Sequence, residues 1–594
     1  MRGPLELDPG KSWAGLVRSA APFVDRIQEL AWLERWLQEA IASRPGVVLI
    51  PGEAGIGKTR LLTELRSVAV HRGVQVCYGR CYEDLTLPYL PFMEALRPQL
   101  EQIPEEVERT LGADASIIDQ LLGRQVATTP TANQSWSTQP DQDKLRLFLA
   151  VSHLIIKSAQ SGPTLFVVDD LHWADQPSLD LFGHLVVTLA ETALRETVPL
   201  LLIGMHRPVE PEERLARLIA RLQREPICHT LMLPGLHEPE VHELIQGLGL
   251  ARPSHQLTAT VSAATQGNPL FVQEVFHHLI QQDALKERGG YVVTTASPAD
   301  LRLPEQVTSA IATRTQGLSE DCRRALTLAS ILGERFSLQL LAAMSEMSED
   351  ELLDLLEEGM RQRLLLSDGQ TFQFAHPLIR HVFYNAPSVV RRQRIHRQIA
   401  QTLEQLYADS RDAHVLEIAH HLVRAGPAAE AAKVVEYARR AADHACTVFA
   451  WGQAALYYEA ALSAAESSDR LSAHDRAELH YRAGLAYQRD TDVGPCLDHY
   501  ERAIAAYRLT GDIPGLARAL MERTRIDFTL AAVPYGTLID IQPLEAALEA
   551  LGESEPGLRG SITAIISGAY FHAKQTDKAW ETAQRALQIG EDLQ

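Results

Sequence analysis

Apolar positions at Ile27, Leu30, Leu33, Trp36, Leu37 and Ile41 recur at helical spacing, which predicts a helix over 26–43. Residues 47–50 form an unbroken apolar run, the pattern of a buried strand. It leads into a glycine-rich segment, after which 61–70 resumes helical spacing. Residues 74–78, 164–168 and 200–204 read as further strands, with helices predicted over 143–158 and 178–191. Buried strands alternating with helices predict a parallel sheet covered on both faces, an α/β core. The strands are predicted to stop near 237, where helices over 237–248, 254–266 and 270–282 take over, the last two separated by Gly267-Asn268-Pro269. Residues 305–385 read as a small helical domain ending in a hairpin, 364–367 and 371–374 turned by Asp368-Gly369, which suggests a winged helix.

Beyond 410 the chain is alanine-rich and reads as helical throughout. Ala442, Tyr458 and Ala461 are spaced like Gly484, Tyr500 and Ala503, and Gly568 and Ala586 repeat the long spacing one residue short. Small residues at such points let two antiparallel helices approach, with the aromatic filling the space beside them. This is a tetratricopeptide-like pattern, and unrelated alanine-rich helices are the alternative. The helix predicted over 576–592 would be the second of a pair with no polar cap after it, so the chain is expected to be part of something longer. The resulting division is a tail or linker over 1–21, an α/β core around the glycine-rich segment over 22–235, a helical lid over 236–300, a winged-helix domain over 301–400 and an all-α helical-repeat solenoid over 405–594. Residues 103–141, polar and rich in Thr, Gln and Pro towards their end, read as a surface insertion.

A chain of 594 residues is too long for one core, and about three to five domains are expected. No apolar run approaches the ~18 residues that cross a bilayer, and no charged start precedes an apolar stretch, so no membrane is expected and the chain is placed in the cytoplasm. A net charge of −20 argues against nonspecific nucleic-acid binding by the whole chain. The basic run at 391–397 lies on a predicted helix, where arginines either pair with acidic neighbours or touch nucleic acid. Cys77 and Cys81, without a second ligand pair, read as thiols near a strand end rather than a zinc site.

The chemistry concentrates after the first strand. Gly52-Glu53-Ala54-Gly55-Ile56-Gly57-Lys58-Thr59 matches G-x-x-x-x-G-K-[ST] between a strand and a helix. Glycines let consecutive backbone N–H groups wrap a phosphate, and the helix that follows presents its positive end to the same anion. Lys58 supplies a charge to the β- and γ-phosphates, and the Thr59 hydroxyl can ligate Mg²⁺. ATP or ADP with Mg²⁺ is therefore the expected ligand. The strand at 164–168 ends in two carboxylates: Asp169 would hold Mg²⁺, and Asp170 would orient or deprotonate the attacking water. The strand at 200–204 leads to Arg207, either a γ-phosphate sensor or a solvated arginine.

Phe23-Val24-Asp25-Arg26, the P-loop, Gly79-Arg80-Cys81-Tyr82-Glu83, Pro88-Tyr89-Leu90-Pro91-Phe92, Val167-Val168-Asp169-Asp170-Leu171-His172-Trp173-Ala174-Asp175 and Gly267-Asn268-Pro269-Leu270-Phe271-Val272 occur in order. The series resembles AAA-type signal-transduction ATPases (STAND class), found in LuxR-type large ATP-binding regulators and in ATPase modules attached to adenylate cyclases. Phe374-Ala375-His376-Pro377-Leu378-Ile379-Arg380 resembles the segment that closes the winged helix in that family. The resemblance covers roughly 22–400, with helical repeats as the usual continuation. It implies a slowly hydrolysing switch, closed with ADP and oligomerising with ATP, in which Pro269 packs near the adenine and His376 approaches the phosphates. The family usually has glycine where this chain has Asp25, which bears on base preference. The repeats would bind a protein or small-molecule signal. The output would be transcription, with DNA reached through a further domain. The alternatives are a regulatory scaffold acting on protein partners or an attached cyclase, and a degenerate module held on ADP.

Overall fold

The computed structural model describes residues 23–83 apart from Asp25, then 87–102, 140–210, 213–248, 252–281, 284–288, 291–294, 318–345, 347–362, 364–367, 369, 371–408, 411–466, 471–529 and 536–593. The expected tail over 1–21, Asp25, Asp368 and nearly all of the expected insertion over 103–141 lie outside the described residues. The chain divides into two compact units, one up to Leu406 and one from Tyr407 onward.

Five parallel strands form the core sheet: β1 (Gly46–Pro51), β2 (Gln75–Arg80), β3 (Thr164–Asp169), β4 (Leu200–His206) and β5 (Cys228–Thr230), in the order β2-β3-β4-β1-β5. β1, β3 and β4 are buried along their whole lengths, as unbroken apolar runs require between two helical layers. The helices of this α/β core are α1 (Ile27–Ile41), α2 (Lys58–His71), α3 (Leu90–Gln102), α4 (Pro140–Ser161), α5 (Gln176–Ala193) and α6 (Arg214–Leu222). β5 was not foreseen, because its three residues pair only at the sheet edge and carry no apolar run. The strand order puts β4 between the strand that enters the P-loop and the strand that ends in the two carboxylates. Pro51 pairs with His206, and Val168 with Gly204. The three strand ends therefore share one rim, the usual ligand-binding edge of an open parallel sheet. Close packing fixes β2 beside them: a Cβ on Gly79 would lie 1.7 Å from the Pro91 carbonyl oxygen, so only glycine lets α3 cross here.

Three helices follow: α7 (Glu238–Gly247), α8 (His255–Thr265) and α9 (Pro269–Gln281). The expectation that strands stop near 237 is corrected by the antiparallel pair β6 (Leu285–Arg288) and β7 (Tyr291–Thr294). Tyr291-Val292-Val293-Thr294 is aromatic and β-branched, and buried Val292 packs with Leu285 into the helical cluster of α7 to α9. The first unit ends with α10 (Glu320–Leu332), β8 (Arg335–Ser337), α11 (Leu338–Met344), α12 (Glu349–Arg361), β9 (Leu365–Ser367), β10 (Thr371–Phe374), α13 (Pro377–Asn385) and α14 (Val389–Leu406). The expected hairpin is β9–β10, and β8 adds a third antiparallel strand in the order β8-β10-β9. Phe336 of β8 stacks 6.0 Å from Phe372, which locks this strand to the hairpin.

The second unit is helical: α15 (Val415–Ala425), α16 (Ala431–Thr447), α17 (Trp451–Glu466), α18 (Ala473–Arg489), α19 (Val493–Thr510), α20 (Ile513–Thr529), α21 (Gln542–Leu551), α22 (Pro556–His572) and α23 (Thr576–Glu591). α16 packs on α17, α18 on α19 and α22 on α23. The repeat positions are where the helices meet. Ala442, Tyr458, Ala461, Tyr500 and Ala503 are fully buried, and a Cβ on Gly484 would come within 2.9 Å of the Tyr500 ring. Gly568 and Ala586 of the last pair are only half-buried.

Between α18 and α19 lies a buried histidine pair, His480 and His499, with Nδ1 atoms 3.0 Å apart. One ring must donate and the other accept, so the contact cannot survive with both rings protonated. Tyr487 stacks on His499, and Glu459 lies 3.5 Å from its Nε2. Burial, then His499, pushes His480 down to about 4; burial also lowers His499. A depressed folded-state value means that the unfolded chain binds the proton first. The pair's stabilisation is present above the ordinary histidine range near 6.5 and is lost as pH falls towards 4. The unfolding temperature of the helical unit is expected to fall by roughly 3 °C or more between about pH 6.5 and pH 5. In a His480→Gln/His499→Gln variant that slope flattens; an equal slope in both proteins would assign it elsewhere.

Candidate functional site

The rim is built around the turn from β1 to α2. Gly55 and Gly57 take φ of +78° and +105°, a left-handed backbone that side chains disfavour. No atom lies within 4 Å of where a Cβ on Gly57 would sit, so the turn is open on that side. Gly57 caps α2 without a side-chain hydrogen bond, which leaves the helix's first N–H groups for an anion. Lys58 is 8% exposed, and its Nζ donates to the carbonyls of Gly52 at 2.5 Å and Glu53 at 3.1 Å. Burial lowers its pKa, opposed by the nearby charges of Asp170 and Asp169. A buried ammonium flanked by acids, over an open turn of N–H groups, fits a phosphate.

The two carboxylates at the end of β3 bear on this lysine through their charge. Asp169 is fully buried, its Oδ2 accepting from Tyr78 OH at 3.1 Å and from Thr59 Oγ1 at 3.5 Å. Burial, then the neighbouring Asp170 charge, pushes its pKa up to about 6. A hydroxyl and a carboxylate brought together beside a phosphate cradle are oxygen donors of the kind Mg²⁺ takes. Asp170 adopts φ of +55°, so the chain turns sharply at the end of the strand. Its Oδ2 accepts from Arg80 Nε at 2.9 Å and Nη2 at 2.7 Å.

Three further groups close in. Arg207, just past β4, has its guanidinium over the Trp173 ring at 5.5 Å, and its N–H donates to His172 Nδ1 at 3.3 Å. It depresses the pKa of Lys58, so the two cations share one field. Half-buried His376, between β10 and α13, is pushed down to about 4 by burial and then by Arg207 and Arg80, with Asp170 opposing. His376 therefore lies among the site's charges, although it is far from them in sequence. Asn268, just before α9, donates from Nδ2 to the Ala54 carbonyl at 2.8 Å, and the Leu270 N–H reaches the Gly55 carbonyl at 3.4 Å. Pro269 sits between these two contacts, half-buried against the P-loop.

The site thus gathers Gly52 to Thr59, Asp169, Asp170, Arg207, Pro269 and His376 within the first unit. The sequence reading gave no role to Arg80, Tyr78 or Glu334. Arg80 donates from Nη1 to Glu334 Oε1 at 2.5 Å. Arg80 lay within a motif that was noted; Glu334 carried no signal, standing in an unremarkable stretch after Gly333. The basic run at 391–397 is partly engaged: Arg392 Nη1 donates to the Tyr384 carbonyl at 2.9 Å, and its guanidinium stacks over that ring. Its partners are thus a helix-end carbonyl, the Asn385 side-chain oxygen at 3.2 Å and a ring. Among the described residues no helix is long and apolar enough to cross a membrane.

Residues 22–203 match the family model described as an AAA ATPase domain, and residues 237–288 match a domain of unknown function. An uncharacterized protein of Rhizobium meliloti (strain 1021) is 25% identical over 443 residues, which are 70% of this chain and 40% of that protein. The chain thus spans about two fifths of that relative's length. Among solved structures, a signal-transduction ATPase with a tetratricopeptide repeat sensor from Pyrococcus horikoshii is 14% identical with a TM-score of 0.43, covering 99% of this chain and 79% of that one. A Walker-type ATPase of Pyrococcus abyssi is 12% identical with a TM-score of 0.28, covering 61% and 96%.

Proposed function

We propose that the chain, whose residues 22–203 match an AAA ATPase domain, is an ATP-binding, slowly hydrolysing switch whose helical repeats sense a protein or small-molecule signal. One observation carries this reading. Lys58, Asp169, Asp170 and Arg207 of the core lie in one electrostatic field with His376, which a separate sheet-bearing helical domain delivers. In this reading that domain is the winged helix and α7 to α9 are the lid. Bound Mg²⁺ neutralises phosphate charge. Thr59 and Asp169 hold it, Lys58 and the α2 amides hold phosphate, and Asp170 orients water. Arg207 senses the γ-phosphate, and Pro269 borders the base. A ligand contacted from two domains biases their arrangement, which is the physical content of a switch.

Transcription is one output of such a switch, reached through DNA contacts outside this span. The net charge of −20 and the engagement of Arg392 favour, for the span itself, a regulatory ATPase that acts on protein partners. An ATP-dependent homo-oligomer belongs to either version. Protein purified without added nucleotide, then denatured, is expected to release ADP at close to one equivalent per chain. A chain that carries no nucleotide, and binds neither ATP nor ADP on titration with Mg²⁺, would overturn the reading.

A further inference from the structure

One guanidinium joins the ATPase core to the domain that supplies His376. Arg80, at the end of β2, directs Nε and Nη2 to Asp170 and Nη1 to Glu334. Glu334 lies between α10 and β8, and its carbonyl accepts the Phe374 N–H at 3.0 Å. It is therefore fixed to the strand that leads into His376. The carboxylates of Asp170 and Glu334 are 15% and 10% exposed, and Arg80 is 10% exposed. Both acids are largely shielded from bulk water, so each relies on the guanidinium for charge compensation. Burial raises the Glu334 pKa, and Arg80 is the first influence holding it down. Beside the triad is a cavity of about 100 Å³, walled by Cys81 and Trp173 from the core and by Pro377, Arg380 and Tyr384 from α13. Cys81 is 3% exposed there.

We propose that Glu334 and Arg80 form a charge latch that holds this domain on the ATPase core, with Asp170 competing for the same guanidinium. Its strength then answers to the charge at Asp170, the group to which the proposed function assigns the attacking water. The latch makes the nucleotide site and the domain position two readings of one ion pair. A carboxylate that leaves Arg80 at one end strengthens its hold at the other, because the two acids share one positive charge.

Cys81 reports the latch in protein without nucleotide, since it is buried and lines a cavity whose other wall is α13 of the docked domain. Cys322, fully buried in that domain's own core, reports whether the domain still folds. Labelling with N-ethylmaleimide, resolved by peptide mass, is expected to run at least about fivefold faster at Cys81 in Glu334→Gln, with Cys322 unchanged. Asp170→Asn removes the competing carboxylate and is expected to leave Cys81 labelling as slow as in the parent or slower. A merely structural triad would loosen in both variants, so faster labelling in Asp170→Asn overturns the latch, as does an unchanged rate in Glu334→Gln. Where Glu334→Gln also exposes Cys322, Glu334→Asp, which keeps the charge and shortens the reach, decides by the same two thiols. The proposed function is tested separately, by release of fluorescent N-methylanthraniloyl-ADP. Release accelerates about fivefold in Glu334→Gln if the ligand is held between the two domains. An opened latch with unchanged release would keep the latch and remove that reading.

Discussion

Replacing Lys58 by alanine is expected to weaken ATP and ADP binding by about 10- to 100-fold, measured by titration with Mg²⁺ present. The side chain is 8% exposed, and its ammonium sits over a turn whose other groups are carbonyls and backbone N–H donors. A charge-assisted hydrogen bond in a site closed to water contributes about 1.5–3 kcal/mol, and each ~1.4 kcal/mol is tenfold in affinity. Loss of binding through misfolding is not the expected cause. Burial lowers the Lys58 pKa, which means that the fold bears a cost for keeping that cation inside. Alanine removes the cost, and the folded state is expected to be as stable or more so by thermal unfolding. Unchanged affinity in a folded variant would mean that the turn from β1 to α2 does not hold phosphate.

The P-loop was legible because its chemistry is local. Eight consecutive residues specify a turn, a charge and a helix start, and periodicity on either side supplies the strand and the helix. The same holds for Asp169 and Asp170, which close an apolar run. What the sequence left unassigned are groups whose role exists only across elements. β5 and β8, three residues each, are held by partners in the sheet rather than by their own pattern. Glu334 is an ordinary glutamate until β8 pairs with β10 and turns it towards Arg80. Arg80 stood in a motif whose order was visible, but a guanidinium has five donors, and which acids fill them is a property of the folded neighbours. The β6–β7 pair was hidden by length: four-residue strands at the end of a helical stretch look like a loop until Val292 is seen buried among α7 to α9. His376 was reached by resemblance alone, since with 168 residues between them nothing local gives a histidine there a reason to meet Arg207.

Asp170→Asn is expected to lower ATP turnover by about 100-fold or more while leaving nucleotide affinity within about threefold of the parent. The two adjacent carboxylates are not equivalent. Asp169 points back into the sheet end, fully buried, bonded to Tyr78 and close to Thr59. The backbone reverses at Asp170, whose φ of +55° carries its carboxylate the other way, towards Arg80 and within 3.9 Å of His172 Nδ1. In the proposed function the first holds a cation beside the phosphate cradle and the second orients water. An amide at 170 keeps the size and loses the negative charge to which the proposed function assigns the water. An alanine at 169 removes an oxygen donor from the Thr59 pair, so Asp169→Ala is expected to lose the Mg²⁺ dependence of binding as well as turnover. Isothermal titration with and without Mg²⁺, alongside a phosphate-release assay, separates the two. If Asp170→Asn hydrolyses at the parent rate while Asp169→Ala does not, the water is oriented from elsewhere on the rim, and His172 becomes the group to replace next.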